Sequence, residues 1–188
     1  MNFPTVFSPD RVYRYTLWRR WDETSELFKP EKEWSCTKCG ADLDKTEDHQ
    51  CAFRFVQFIG LNPSTADETN DDPTIRRCIR YSKDWGYDGY CMTNLFAFRA
   101  TDPKVMKSQP SPIGPDNDTA IMDIAMKAAL IVCAWGTHGA HRHRGMQVKG
   151  LLRSCLGLKI HHLGLTKENF PKHPLYLHKG IEPIEWKQ

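Results

Sequence analysis

The pattern of apolar and polar positions along the chain predicts strands that alternate with helices. Residues 11–18 alternate polar with apolar side chains, which is the period-two pattern of a strand with one solvated face at an antiparallel edge. Residues 53–60 end in a nearly continuous apolar run, as expected for a strand covered on both faces, and lead directly into Leu61-Asn62-Pro63-Ser64. Further strands are predicted at residues 89–96, 130–136 and 160–163.

Three helices are predicted between these strands. The clearest one begins after Asp72, a carboxylate N-cap followed by Pro73 at the first helical position, and it ends before Gly86. Its apolar face is formed by Ile75, Cys78, Ile79 and Ser82. The other helices are predicted at residues 116 to about 129 and at 145–155, and residues 102–115 form a proline-rich connection.

Strands that alternate with helices predict a single α/β domain over residues 1–188. We expect three layers, α/β/α, with a mostly parallel central sheet of four strands and an N-terminal edge strand. In such sheets ligands bind outside the carboxyl ends of the strands. The loops beginning at Gly60, Asn94, Gly136 and Gly164 should therefore lie on one rim, where we expect the functional site.

Composition and charge narrow the class of protein. The chain has 188 residues, which suits one domain, and a formal net charge of +3, which is too small for a broad nucleic-acid-binding field. Residues 1–20 lack the apolar core of a signal peptide, and no stretch approaches the roughly 20 apolar residues of a membrane span. We expect a cytoplasmic monomer without membrane association.

The seven cysteines divide into two groups. Cys36, Cys39 and Cys51 lie close to His49, and this Cys₃His set matches the tetrahedral coordination of a structural zinc ion. Residues 34–51 are predicted to form a small zinc-binding insertion, because residues 41–48 between the two halves of the ligand set offer few apolar groups that could organise the segment otherwise. A redox-active dithiol and unliganded loop cysteines remain as alternatives. Core packing is predicted for Cys78, Cys91, Cys133 and Cys155.

Polar residues at the predicted strand ends are the candidates for chemistry. Gly60 lets the backbone turn close to a ligand, Asn62 supplies both a donor and an acceptor, and Pro63 fixes the turn. Asn94 occupies the equivalent place on the next buried strand. The alternative role for both asparagines is capping or turn hydrogen bonding.

Two groups of basic residues are candidates for binding phosphate. Arg76, Arg80 and Lys83 share one face of the first helix, which is also the pattern of a solvated surface. The second group follows the strand at 130–136, next to a helix start where backbone N–H groups favour anions. Its members are His138, His141, Arg142, His143 and Arg144. Within it, Arg142 or Arg144 is a candidate phosphate ligand, with simple solvent exposure as the alternative.

The combination of rim motifs resembles the uracil-DNA glycosylase superfamily. The matching segments, in this order and at strand ends, are Gly60-Leu61-Asn62-Pro63, Thr93-Asn94-Leu95-Phe96, Ala134-Trp135-Gly136 and Lys172-His173-Pro174-Leu175. The resemblance implies that Asn62 positions a water, that Asn94 reads the edge of a flipped base and that His173 stabilises the departing base anion. The chain departs from the superfamily at Leu175, where a serine is expected, and no intercalating loop follows.

The roles that the resemblance implies and the candidates found from the residue pattern together give the predicted site residues. Asn62 and His173 are the catalytic pair. Base contacts are assigned to Gly60, Leu61, Pro63, Asn94 and Phe96, with Phe98 as the alternative stacking residue. Contacts with phosphate or DNA are assigned to Ser64, Arg76, His138, Arg142, Arg144 and Lys172.

From about residue 11 to residue 178 the chain also resembles a bacterial and phage family of unknown function. The sequences that mark this family here are GLNPSTAD, DDPTIRRC, NLFAFRAT and KHPLYL. This second resemblance implies no activity.

The expected function is a glycosylase-like hydrolase that releases a nucleobase from DNA or from a nucleotide. Two alternatives stay open. The acidic run at residues 65–72 and the missing serine favour a module that binds a modified base or nucleotide without hydrolysing it. A Mg²⁺-dependent nucleotide-processing enzyme would use Asp67, Glu68, Asp71 or Asp72, which are equally suited to capping the following helix.

Overall fold

The computed structural model of the protein describes residues 4–21, 53–64 and 66–187. The strands in this part of the chain are β1 (Val6–Phe7), β2 (Arg14–Arg20), β3 (Phe55–Gly60), β4 (Gly89–Asn94), β5 (Leu130–Cys133), β6 (His161–His162) and β7 (Ile184–Glu185). They form one sheet in the order β1-β2-β4-β3-β5-β6-β7. The fold is therefore mixed α/β.

The centre of the sheet is parallel. β4 pairs with β3, β3 with β5 and β5 with β6, all in parallel, which gives the predicted group of four strands. Antiparallel strands widen this centre: β2 lies beside β4, β1 beside β2, and β7 beside β6. Gly60 at the end of β3 is in register with Asn94 at the end of β4, so the two loops that follow start side by side.

The helices in the described residues are α1 (Pro73–Asp84), α2 (Pro103–Ser108), α3 (Asn117–Ala125) and α4 (Arg144–Gly150). α1 begins as predicted, because Asp72 accepts a hydrogen bond from the backbone N–H of Ile75 at 2.9 Å. It is followed by Gly86 at a φ of +75°, a left-handed conformation in which glycine carries no steric penalty.

Helices cover both faces of the sheet. On one face, α1 buries Ile75 and Cys78 against Val56 and Phe58 of β3. On the other face, the buried residues of α2, α3 and α4 pack against alternate strand residues such as Ile59. This gives the three layers expected from the alternation of strands and helices.

Several predicted elements differ from the observed ones. β2 is not a strand with a solvated face, since residues 14–18 are buried and both neighbours, β1 and β4, are paired to it. α3 ends at Ala125, short of the predicted end near residue 129. The helix predicted at 145–155 is divided into α4 and a single π-helical turn, Leu151–Cys155, and α2 lies within the predicted connection.

Three of the four scattered cysteines lie in the core as predicted. Cys78, Cys91 and Cys133 are fully buried, and this burial raises the pKa of each thiol, which makes the thiolate inaccessible near neutral pH. Cys155 is exposed, so its predicted burial is wrong; it ends the π-helical turn and its side chain faces away from the core.

The predicted zinc-binding insertion at residues 34–51 lies outside the described residues. Among the helices that the structure describes, none combines the length and the apolar character needed to cross a membrane.

Candidate functional site

The chain changes direction across the sheet after β4. From β3 it passes through α1 to β4 on one side, and it later reaches β5 on the other side. Such a switch point leaves a crevice between the loops that follow the neighbouring strands β3 and β5. Here the carboxyl ends of β3 and β4, together with the loops after β5 and around His173, line a cavity of about 620 Å³. This volume is in the range of pockets that enclose a ligand the size of a nucleotide.

Asn62 lines this cavity with its side-chain amide held in one orientation. Its Nδ2 donates to the carbonyl oxygen of Ala100 at 2.7 Å and to that of Pro63 at 3.1 Å. Because these two acceptors engage the NH₂ group, Oδ1 is the atom left to interact with a ligand or a water. Asn62 therefore presents a fixed acceptor at the rim.

Asn94 ends β4, lines the same cavity and is only 3% exposed. Its Nδ2 is buried and has no hydrogen-bond partner among the described residues. Its Oδ1 lies so close to Gly60 that a Cβ added to Gly60 would stand 2.7 Å from it. A buried donor without a partner costs free energy, and such a donor at a cavity wall is suited to contacting a ligand.

His173 reaches the cavity from the loop before the 3₁₀ turn Pro174–Tyr176. Its Nδ1 accepts a long hydrogen bond, 3.4 Å, from the backbone N–H of Leu175, which assigns the proton of the neutral ring to Nε2. Burial lowers the pKa of His173, while the nearby Asp72 carboxylate acts in the opposite direction. The ring is therefore neutral at pH 7 and offers an Nε2–H donor.

Several of the other predicted site residues also line the cavity, namely Gly60, Leu61, Ser64 and His138. The Nδ1 atom of His138 lies 3.1 Å from the Nζ atom of Lys107 at the exposed edge. Pro63 is buried and is not part of the cavity wall, so the structure does not bring it into position for a base contact.

The predicted stacking residues lie elsewhere. Phe96 is fully buried in the core with its ring 5.6 Å from that of His141, and Phe98 packs edge-on against Tyr13. The assignment of Phe96 to a base contact is corrected, because core packing occupies its ring. The aromatic side chains of the cavity wall are Trp135, which is 2% exposed, and Tyr176, which is 84% exposed.

Four of the predicted phosphate ligands do not line the cavity: Arg76, Arg142, Arg144 and Lys172. Arg142 donates to the carbonyl oxygens of Pro110 and Gln109 at 3.1 and 2.9 Å, and Arg76 donates to that of Asp71. Lys172 is exposed. The structure therefore does not bring these basic side chains together around a ligand.

Arg144 has a structural role that the sequence did not reveal. It is 2% exposed, its Nε donates to the carbonyl oxygen of Leu95 at 3.0 Å, and its guanidinium forms an ion pair with Asp118. The Nδ2 atom of Asn117 donates to the same carbonyl at 3.0 Å and to that of Asn94 at 2.9 Å. Arg144 thus fixes the backbone after β4, and its predicted phosphate contact is corrected.

The acidic run does not converge on one point. Asp67 accepts from two backbone N–H groups of its own turn, at 2.9 and 2.8 Å, and these bonds lower the pKa of Asp67. Glu68 and Asp71 each pair with an arginine, at 2.9 and 2.8 Å. Asp72 caps α1. The geometry therefore gives no support to the Mg²⁺-binding alternative at these four side chains.

Arg14 lines the cavity as well, although the sequence predicted it on a solvated strand face. Because β2 runs antiparallel to β4, its first residue lies at the rim where β4 ends. Arg14 is only 2% exposed, and burial lowers its pKa to about 10. A charged residue at the start of an alternating strand carries no signal that would distinguish an inward position from an outward one.

The zinc ligands remain a prediction. Cys36, Cys39, His49 and Cys51 lie outside the described residues. Within the part of the chain that the structure describes, no three histidine, cysteine or acidic side chains are grouped as metal ligands.

Comparison with known proteins identifies a family whose function is unknown. No curated protein and no solved structure matches the chain, so neither comparison links it to the uracil-DNA glycosylase superfamily. The matching family model covers a shorter region than the resemblance found in the sequence. That model, described as protein of unknown function (DUF1643), matches residues 42–175, and the chain therefore belongs to the DUF1643 family.

Proposed function

We propose that this protein hydrolyses the N-glycosidic bond between a nucleobase and its sugar, in a nucleotide or in DNA. The observation that carries the proposal is the nearly fully buried Nδ2 of Asn94, which has no partner among the described residues. It belongs to a cavity whose wall also includes Asn62 and His173.

The three side chains offer the hydrogen-bonding groups that this reaction needs. Cleavage of an N-glycosidic bond passes through an oxocarbenium-like sugar, so catalysis depends on positioning water and stabilising charge on the leaving base. Asn62 Oδ1 is a fixed acceptor for the attacking water, since Nδ2 is held by Ala100 and Pro63. The Nδ2 of Asn94 and the Nε2–H of His173 are donors suited to base oxygen or nitrogen atoms that gain negative charge.

The bond changes balance as a hydrolysis. The electrons of the C1′–N bond move to the base, the water oxygen bonds to C1′, and the water contributes one proton to the released base and the hydroxyl to the sugar. A neutral His173 stabilises the base anion by donating a hydrogen bond. The resemblance of the rim segments to the uracil-DNA glycosylase superfamily supports the same division of roles.

A binding module without hydrolytic activity is the second candidate. Among the described residues that line the cavity, Asp72 is the one carboxylate that could activate a water. One of its oxygens already caps α1, accepting the backbone N–H of Ile75 at 2.9 Å. A site with weak activation of water would retain the recognition of a base by Asn94 and His173 but release it unchanged.

The proposal is tested by searching for free base. The protein is incubated with nucleotides and oligonucleotides that carry uracil, hydroxymethyluracil and other modified bases, with and without Mg²⁺, and released base is measured by mass spectrometry. We expect release of one class of base without Mg²⁺, and its loss in Asn62→Ala and His173→Ala. Binding without release would favour the second candidate, and strict dependence on Mg²⁺ would contradict both.

Matched controls are available on the same surface. Asn70→Ala removes an exposed asparagine from the loop that contains Asn62, and His178→Ala removes an exposed histidine close to His173 in sequence. Neither residue lines the cavity. Full activity in both controls, together with unchanged circular dichroism in all four variants, would attribute the losses to the site.

A further inference from the structure

Arg14 and Arg144 are the buried arginines of the described residues, and each is only 2% exposed. Arg144 is neutralised by Asp118. Arg14 forms no ion pair with a described carboxylate, and its Nε is buried without a hydrogen-bond partner among the described residues. The bond from its Nη1 to the carbonyl oxygen of Ala66 holds the guanidinium in place, and the Asp72 carboxylate acts on its charge only at longer range, without forming an ion pair.

An uncompensated cation in the interior is unfavourable. Removing a guanidinium from water is strongly unfavourable unless a partner of opposite charge replaces the lost hydration. Burial lowers the pKa of Arg14 to about 10, so the group still carries its charge at neutral pH. We therefore expect a ligand to supply the anion, and it would reach Arg14 through the cavity that this side chain lines.

The surroundings of Arg14 favour a phosphate group. The guanidinium fork matches the geometry of phosphate oxygens better than that of a point anion. The hydroxyl-bearing side chains of Ser64 and Thr74 line the same cavity, and α1, a helix of twelve residues, begins at its wall. The Asp72 carboxylate also lines the cavity and carries the same sign of charge as a phosphate, but its Oδ1 already accepts a hydrogen bond from the backbone N–H of Ile75.

The depth of Arg14 selects the source of the phosphate. Internal phosphodiesters of a nucleic-acid strand are flanked by nucleotides on both sides and stay near a protein surface, whereas Arg14 is 98% covered. A terminal phosphate on a single nucleotide can enter a cavity of about 620 Å³ together with its base. We propose that Arg14 binds the phosphate of a mononucleotide and thereby makes a nucleoside monophosphate the preferred ligand of this cavity.

The nucleoside part of this proposal rests on the proposed function, but the anion site does not. The two are separated by probes that cannot be hydrolysed. Pseudouridine and its 5′-monophosphate carry a carbon–carbon bond between base and sugar, so their binding is measured without turnover. Other nucleosides and their 5′-monophosphates, inorganic phosphate and short single-stranded oligonucleotides complete the set, with calorimetry as the readout.

We expect the wild-type protein to bind at least one monophosphate on the order of tenfold to a hundredfold more tightly than its nucleoside, as for one charge-assisted contact. Arg14→Gln should abolish this preference and leave the affinity for the nucleoside unchanged. Arg14→Lys retains a buried cation without the fork and should retain a reduced preference. The control Arg54→Gln removes the same charge from the exposed residue preceding β3, at the opposite end of the sheet, and should leave the preference intact.

Several results would overturn the proposal. They are an equal affinity for nucleosides and monophosphates, a preference that survives Arg14→Gln, or the absence of binding by every phosphate-bearing probe. Tight binding of oligonucleotides alone would assign the phosphate to a strand and would also contradict it. Base release without a preference for the monophosphate would support the proposed function and reject the anion site. A preference for the monophosphate without base release would support the anion site and reject hydrolysis. The comparison of nucleoside with monophosphate in the wild-type protein stands even if Arg14→Gln does not fold.

Discussion

A methyl group on Gly60 would come within 2.7 Å of the Oδ1 atom of Asn94. The two residues are paired in register at the ends of β3 and β4, so neither backbone can move away without disturbing the parallel ladder. The absence of a side chain at Gly60 therefore determines where the Asn94 amide sits.

Gly60→Ala is expected to displace the Asn94 side chain from the cavity wall while the fold persists. Binding of the ligand should weaken by about tenfold or more, because a buried hydrogen-bonding group would no longer be correctly placed. Calorimetry with the preferred ligand measures the effect. Gly180→Ala is the control, since nothing lies within 4 Å of the added Cβ; equal affinities in the two variants would contradict the predicted role of Gly60.

Arg144→Gln is expected to lower the free energy of unfolding by about 2 kcal/mol, because it removes a buried ion pair and a bond to the Leu95 carbonyl. Denaturant unfolding measures the change. Arg80→Gln interrupts an exposed pair with Asp84 on α1 and should cost no more than about 0.5 kcal/mol. Equal stability of the two variants would show that Arg144 does not support the backbone after β4.

Stability is expected to fall on mild acidification. Burial lowers the pKa of His141, His162 and His173, so these rings resist protonation in the folded protein. In the unfolded chain they titrate near pH 6.5, and between the unfolded and folded pKa values the unfolded chain binds more protons. The free energy of unfolding should therefore decrease as the pH falls from about 7 towards 5 and be insensitive to these rings above about pH 7.5.

The measurement is a series of denaturant titrations between pH 5 and pH 8. His162→Gln should reduce the slope, since the Nδ1 of His162 accepts the backbone N–H of Gly164 at 2.9 Å and loses this bond when protonated. A slope of opposite sign, or one that His162→Gln leaves unchanged, would be incompatible with the burial of these rings.

Purified protein is expected to contain about one equivalent of zinc, because four candidate ligands complete a tetrahedral shell. Cys36→Ser should reduce the zinc content and the thermal stability together. The control Cys155→Ser replaces an exposed cysteine and should alter neither. A metal-free Cys36→Ser protein with wild-type stability would be evidence against a structural zinc ion.

The position of the rim was predictable from the sequence for a simple physical reason. Alternating strands and helices force parallel strands, and parallel strands end on the same edge of the sheet. This reasoning brought the loops that carry Asn62 and Asn94 together without any knowledge of the side-chain contacts, and the resemblance of the rim segments added His173. The start of α1 was equally predictable, because the cap at Asp72 is a local interaction.

The residues that sequence reasoning misplaced depend on distant contacts. Arg14 is buried because β1 and the loop containing Ala66 cover a strand whose alternation looks amphipathic. Arg144 is buried because Asp118, 26 residues earlier, and the Leu95 carbonyl both bind it. Phe96 lies two residues after the end of β4, and the sequence alone does not distinguish a cavity position from a core position there. The packing of His141 and of the helices against its ring places it in the core.

The antiparallel direction of β2 has a practical consequence for how the family is studied. The family model begins at residue 42, after β1 and β2, yet β2 supplies Arg14 and pairs with β4 through residues 17–20. A recombinant fragment trimmed to residues 42–175 would expose the hydrogen-bonding edge of β4 to other chains, which favours aggregation. Such a fragment would also lack Arg14, the buried cation of the cavity wall, so ligand screens on it would miss any compound that this charge selects.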